Sequence, residues 1–113
     1  MKSYTDIEQS RKLAEILPLE TADMCYINGD IGKISIGGWK NNAHDEDDVP
    51  CWSLAALLSI IPHSSLKKVL LGWQCISYDE DGHNCFLGEY TDNPVDACYE
   101  MILKLKELNL LQL

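Results

Sequence analysis

The sequence predicts an α+β domain: an antiparallel sheet of about four strands, built from two hairpins, with three helices in the order α-β-β-α-β-β-α. Three observations lead to this prediction: an uncharged run between Pro50 and Pro62, hairpin patterns at 24–36 and 69–90, and amphipathic patterns near both ends. Residues 1–113 are assigned to this single domain, because 113 residues, 46% of them hydrophobic, suit one core.

The two terminal helices are predicted from their capping residues. Thr5 and Glu8 are spaced as a capping box, apolar residues then recur on one face, and Pro18 ends the helix. Asn93 is an N-cap residue followed by Pro94, and apolar residues recur after it at spacings of three and four. Both helices are therefore expected to place one apolar face on the core.

The first hairpin is predicted to join strands at 24–27 and 34–36. Asn28-Gly29 lies between them, and this dipeptide is a strong signal for a tight hairpin turn. Four glycines occur within residues 29–38. They do not predict a phosphate site, because no Gly-Lys-Ser/Thr sequence follows and no helix begins there.

The central helix is predicted between Pro50 and Pro62, where no residue is charged. Proline is tolerated in a first helical turn, and Pro62 removes the preceding residue from the α region. A helix that is apolar all round is buried on several sides, so this run is interpreted as the middle of the core. The alternative is a helix whose second face binds a partner. The apolar tail 110–113 is likewise expected to dock on the core or on a partner.

The second hairpin is predicted to form the main ribbon of the sheet. Residues 63–68 are interpreted as a connector, and residues 69–78 as a long strand. A turn at 79–82 follows, with Gly82 suited to a positive φ, and the chain returns as a strand over 84–90.

The formal net charge of −9 bears on partners and location. Binding to nucleic acid or to an anionic membrane is not expected of such a chain, whereas a basic protein surface is a suitable partner. The first residues lack the apolar core of a signal peptide, which predicts a cytoplasmic protein. The five cysteines include no Cys-x-x-Cys pair, so a zinc site is not expected and the thiols are predicted to be reduced.

Seven of the eighteen acidic residues lie in two predicted loops. If these loops are neighbours, they form a negative patch that could bind a basic protein surface. A calcium loop needs alternating ligands with a glycine bend, and that pattern is absent, so neither a metal nor a cofactor is predicted. The candidate patch consists of Asp45, Glu46, Asp47, Asp48, Asp79, Glu80 and Asp81.

Three segments resemble a group of short proteins from gut Bacteroides genomes and their prophages. They are MKSYTDIEQS at 1–10, PCWSLAALL at 50–58 and DNPVDAC at 92–98. The resemblance covers most of the chain except roughly residues 28–48, and it implies a bacterial or phage origin. The group has no assigned activity, so the resemblance implies no site residue. The favoured interpretation is a non-enzymatic accessory protein that acts through protein–protein contacts.

The alternative is a cysteine hydrolase that uses Cys51 and His83. Cys51 is predicted near a helix N-terminus, where the helix dipole lowers a thiol pKa. A cysteine on a helix followed by a histidine on a strand is the order of papain-like and cell-wall-amidase folds, and Cys51-Trp52 resembles the papain signature. No glutamine before Cys51 supplies an oxyanion donor. His83 is also predicted beside a hairpin turn, where an exposed position is expected.

Overall fold

The computed structural model describes residues 2–27, 34–36, 48–82 and 85–111 of the chain. Three helices and two antiparallel sheets within these residues confirm the predicted α+β class. The single sheet of about four strands is replaced by two sheets of three strands, ordered β2-β1-β3 and β4-β5-β6. The elements are α1 (Ile7–Ile16), a 3₁₀ helix (Leu19–Thr21), β1 (Met24–Tyr26), β2 (Ile34–Ile36), β3 (Val49–Cys51), α2 (Leu54–Ile60), β4 (Ser64–Val69), β5 (Gly72–Tyr78), β6 (Cys85–Leu87) and α3 (Pro94–Glu107).

The uncharged run after Pro50 is divided between a strand and a helix, so the prediction of one helix is wrong in its first part. Residues 49–51 form β3, which pairs antiparallel with β1. Pro50 is tolerated because β3 is an edge strand of its sheet. Helix α2 begins at Leu54, where the Ser53 hydroxyl accepts a hydrogen bond from the Ala56 amide at 3.2 Å. All of β3 is buried, whereas α2 buries only Leu57 and Ile60, so the uncharged run is not a helix buried on several sides. Both parts are apolar in sequence, so hydrophobicity alone does not separate strand from helix.

Helix α1 begins one residue later than predicted. Its N-cap is Asp6, and Gln9 completes the capping box, in place of Thr5 and Glu8. Thr5 is instead fully buried. Its amide donates a hydrogen bond to the Trp52 carbonyl at 2.9 Å, and this bond ties the N-terminal segment to residues 52–54. The capping motif is therefore present, but tertiary pairing decides its register.

The second sheet begins earlier than the sequence indicates. The predicted connector 63–68 is almost entirely β4, and the chain turns at Leu70-Leu71 before β5 begins at Gly72. The predicted long strand 69–78 therefore contains a turn. The sequence hides this turn because leucines occupy it in place of the glycine, asparagine or aspartate usual in such turns.

Helix α3 confirms its predicted start and has a well-defined end. The Asn93 side chain accepts a hydrogen bond from the Asp96 amide at 2.9 Å, and Pro94 is the first helical residue. At the other end Asn109 adopts a φ of 58°, and the Leu110 amide donates to the Leu105 carbonyl at 2.8 Å. This Schellman-type ending turns Leu110 back toward its own helix.

The N-terminal segment is tied to α3 by an ion pair. Lys2 Nζ lies 2.9 Å from Asp96 Oδ1 and 3.0 Å from Asp6 Oδ2. Partial burial acts to raise the pKa of Asp96, but hydrogen bonds from Lys2, Gln9 and Asn93 outweigh it and hold the pKa below its usual value.

The main hydrophobic core contains residues from all three helices, from β5 and from Trp52. A smaller cluster on the first sheet is formed by Tyr26, Val49 and Cys51. In the described part of the chain, no helix combines the length and the apolar character needed to cross a bilayer. The largest fully buried side chains of the main core are Trp52, Leu13, Leu57, Met101, Ile102 and Leu105.

Candidate functional site

Cys51 does not lie at a helix N-terminus, so that expectation from the sequence is wrong. It is the last residue of β3, its exposed fraction is 0%, and α2 begins only at Leu54. Burial raises the pKa of the Cys51 thiol, against the smaller lowering effect of its hydroxyl neighbours. His83 lies outside the described residues. The described half of the proposed pair is therefore a buried thiol that is held in its neutral form at physiological pH.

The surroundings of Cys51 form a closed hydrogen-bond network centred on Thr5. The Cys51 sulfur lies 3.4 Å from the Thr5 carbonyl oxygen, and Tyr26 donates its hydroxyl to that same oxygen at 2.6 Å. The Thr5 hydroxyl shares a hydrogen bond with Ser10 at 2.7 Å and accepts one from the Trp52 amide at 3.2 Å. The side chains of Thr5, Tyr26 and Cys51 thus have hydrogen-bond partners inside the protein, as buried polar groups require. These bonds join the N-terminal segment to the first sheet.

We expect Cys51 to be alkylated slowly in the native protein. Iodoacetamide needs an accessible thiolate, and Cys51 is buried with a raised pKa, whereas Cys85 is exposed. Peptide mapping by mass spectrometry should show Cys85 modified long before Cys51. Alkylation of Cys51 that follows an apparent pKa below about 7 and falls strongly in His83→Ala would contradict this and favour a thiolate–imidazolium pair.

Two other cysteines lie in the main hydrophobic core. Cys75 of β5 and Cys98 of α3 are fully buried, and each thiol shifts the pKa of the other. The interaction with Cys75, together with burial, raises the pKa of the Cys98 thiol. All five cysteines of the chain are free thiols, and four of them are buried.

The described residues of the predicted acidic patch follow or precede strands of two different sheets. Asp48 directly precedes β3 in the first sheet, whereas Asp79, Glu80 and Asp81 follow β5 in the second sheet. Asp45, Glu46 and Asp47 lie outside the described residues. Within the described part of the chain, no group of three or more His, Cys, Asp or Glu side chains is arranged to hold a metal ion.

The acidic residues after β5 lie beside a pocket of about 210 Å³. The apolar residues that line the pocket are Pro62, Phe86, Leu105 and Leu110. Its other lining residues lie just before β4 or at and after the end of β5, and they are His63, Ser77, Tyr78, Asp79 and Glu80. The pocket therefore combines an apolar wall with two carboxylates.

Hydrogen bonds to the end of α2 fix one side of this pocket. Pro62 stops the helix, and His63 adopts a φ of 43°, which turns the chain into β4. The Ser77 hydroxyl donates to the Pro62 carbonyl at 2.9 Å, and the Tyr78 amide donates to the His63 carbonyl at 3.1 Å. These two hydrogen bonds hold Pro62 and His63 beside the end of β5.

Another part of the lining depends on the ending of α3. Leu105 is buried in the last turn of that helix, and the hydrogen bond from the Leu110 amide to its carbonyl brings the two leucines to the same pocket. Leu110 keeps 39% of its surface exposed. The sequence predicted that the tail beginning at residue 110 would dock, and Leu110 is the part of that tail that lines the pocket.

The carboxylates give the pocket its chemical preference. Glu80 is exposed and makes no ion pair with another described residue, while Asp79 is partly buried. An apolar wall beside a carboxylate suits a ligand with an aliphatic stem and a cationic head, because the stem can be buried while the charge stays at the rim. Lysine and arginine side chains have this form.

Sequence reasoning found only the acidic half of the site. Asp79 and Glu80 were recognised as part of an acidic turn, but Leu105 and Leu110 reach the pocket through the packing of α3 on the second sheet.

No family model matches the chain, and no curated protein or solved structure is significantly similar to it.

Proposed function

We propose that this chain is a non-enzymatic accessory protein that acts through protein–protein contacts, and that its pocket receives a lysine or arginine side chain of a basic partner. The observation that supports this most is the combination of Glu80 and Asp79 with the wall of Phe86, Leu105 and Leu110. A cavity of about 210 Å³ is smaller than the roughly 300–1,000 Å³ of small-molecule sites, which favours a single side chain as the ligand.

The charge of the whole chain supports the same choice of partner. Eighteen acidic residues against nine basic ones give the net charge of −9. The resulting field attracts a basic surface and accelerates its encounter with the pocket, whereas the pocket itself provides specificity through shape.

The proposed setting is the cytoplasm of a bacterium or of a phage-infected host. The resemblance to short Bacteroides and prophage proteins supports the origin. Five free thiols support a reducing compartment. The cysteine hydrolase with Cys51 and His83 stays the second hypothesis, and the burial of Cys51 weighs against it.

We expect the pocket to bind the peptide acetyl-Gly-Arg-Gly-amide in preference to the same peptide with citrulline. Citrulline keeps the length and shape of arginine but lacks its charge, so it isolates the contribution of Glu80. In ¹⁵N-resolved NMR titrations, amide shifts should concentrate at 78–80, Phe86 and Leu110, with a dissociation constant of about 1 mM. Glu80→Gln should weaken binding about two- to fivefold, the usual strength of an exposed ion pair.

Glu100→Gln is the matched control, because Glu100 lies on α3 at a different surface groove and should leave binding unchanged. Equal affinity for the arginine and citrulline peptides, or shifts that concentrate away from the pocket, would contradict the proposal.

A further inference from the structure

The turn between β4 and β5 exposes two adjacent leucines, and we call residues 67–71 the hairpin tip. Leu70 is 103% exposed and Leu71 is 74% exposed, the largest values among the large hydrophobic side chains described. The strands on either side pair up to Val69 and Gly72, so the two leucines form the whole turn. The hairpin tip therefore presents an apolar end to solvent.

Neither the fold nor the turn requires leucine at these positions. The core receives nothing from side chains that are this exposed. The positive φ beside the turn belongs to Gly72, at 130°, and turn residues are usually small or polar. A role in contact with another molecule accounts for both leucines, since protruding apolar groups on a surface mark interaction sites.

The hairpin tip is basic although the chain is acidic. Lys67 and Lys68 are exposed on β4 directly before the turn. The Lys68 ammonium lies 5.7 Å from the ring centroid of Trp73, its cross-strand partner. This cation–π contact favours an ammonium position beside the hairpin rather than extended into solvent. The partner of the hairpin tip should thus offer an apolar recess with acidic residues at its rim.

We infer that the hairpin tip docks into the pocket of a second copy of this chain, so that copies associate head to tail. The pocket provides the required chemistry: Phe86 and Leu110 can cover a leucine of the hairpin tip, and Glu80 can face one of its lysines. This inference rests on the proposed function, because the lysines of the hairpin tip supply the cationic group that the pocket binds. This local attraction acts against the repulsion between two chains of net charge −9.

The fold prevents a single copy from making this contact with itself. The hairpin tip precedes the first residue of β5, Gly72, and the pocket lies at its last residue, Tyr78. Seven residues of extended strand separate the two ends by about 20 Å. The two surfaces differ from each other, so the contact is heterologous: each added copy leaves one tip and one pocket free, and the assembly grows or closes into a ring.

The test uses sedimentation velocity of the full chain from about 10 µM to about 1 mM, a range that detects weak association. The wild type should sediment faster as its concentration rises. Leu70→Ser with Leu71→Ser removes the apolar tip, and Glu80→Lys reverses the charge of the pocket. All three positions are exposed, so both variants should keep the wild-type circular dichroism and melting temperature. Each variant alone should dissociate at least about tenfold more readily than the wild type.

Mixing the two variants gives the decisive result. The mixture still contains one intact pocket, on the tip variant, and one intact tip, on the pocket variant. We expect a 1:1 dimer that grows no further. A wild type that stays monomeric, a Glu80→Lys variant that associates like the wild type, or a mixture that stays monomeric would each overturn the inference.

The same variants separate this inference from the proposed function and from other occupants. Binding of the arginine peptide by a wild type that never associates would overturn the head-to-tail contact and leave the proposed function standing. Co-flotation with phosphatidylcholine vesicles that requires Leu70 and Leu71, in a monomeric wild type, would assign the hairpin tip to a lipid surface instead.

Discussion

Leu57→Ala should lower the free energy of unfolding by about 2–5 kcal/mol, the usual loss for a fully buried leucine. Leu57 is 0% exposed and belongs to the main core, so its removal leaves a cavity between α2 and its neighbours. Leu58→Ala on the same helix should cost only about 1 kcal/mol, because Leu58 is partly exposed. Urea denaturation followed by circular dichroism measures both losses.

The comparison of these neighbours also tests how α2 is used. Ala55 and Ser59 are exposed, whereas Leu57 and Ile60 are buried, so the helix has one core face and one face of small residues. Losses below about 1 kcal/mol for both leucine variants would contradict this packing and support the alternative of a partner-binding helix. An m-value equal to that of the wild type would show that the variants unfold from the same compact state.

The elements predicted best are those whose signals lie in adjacent residues. Helix α3 begins where Asn93 and Pro94 predict, because an N-cap acts on amides two or three residues away. The turn glycine Gly82 has the predicted positive φ, at 72°. Such features depend on local geometry, which the sequence determines almost directly.

The elements predicted wrongly depend on contacts between distant residues. Pairing of Val49–Cys51 with β1 converts the start of the apolar run into a strand, and the bond from Thr5 to Trp52 moves the cap of α1 to Asp6. The pocket also depends on a contact between distant residues, since Glu80 and Leu110 lie 30 positions apart in the chain and line it together. The hairpin tip was hidden because leucines are unusual in a two-residue turn, and their exposure depends on the pairing of β4 with β5.

Gly72→Ala should destabilise the protein by about 2–5 kcal/mol, which combines backbone strain with overpacking. Gly72 has a φ of 130°, a conformation that residues with a side chain rarely adopt. A Cβ atom there would also overlap the carbonyl oxygen of Thr91. That carbonyl cannot move freely, because Thr91 and Trp73 exchange two backbone hydrogen bonds of 2.8 and 2.9 Å.

Gly82→Ala is the matched control for this substitution. Gly82 also has a positive φ, but a Cβ atom at Gly82 would meet no other atom within 4 Å. It should therefore cost only the strain of about 1–2 kcal/mol. Thermal and urea unfolding of the two variants compare the sites, since the excess loss in Gly72→Ala reports the close approach of Thr91 together with the greater strain of a φ of 130°. Equal losses for the two glycines would mean that the close approach of Thr91 does not constrain residue 72.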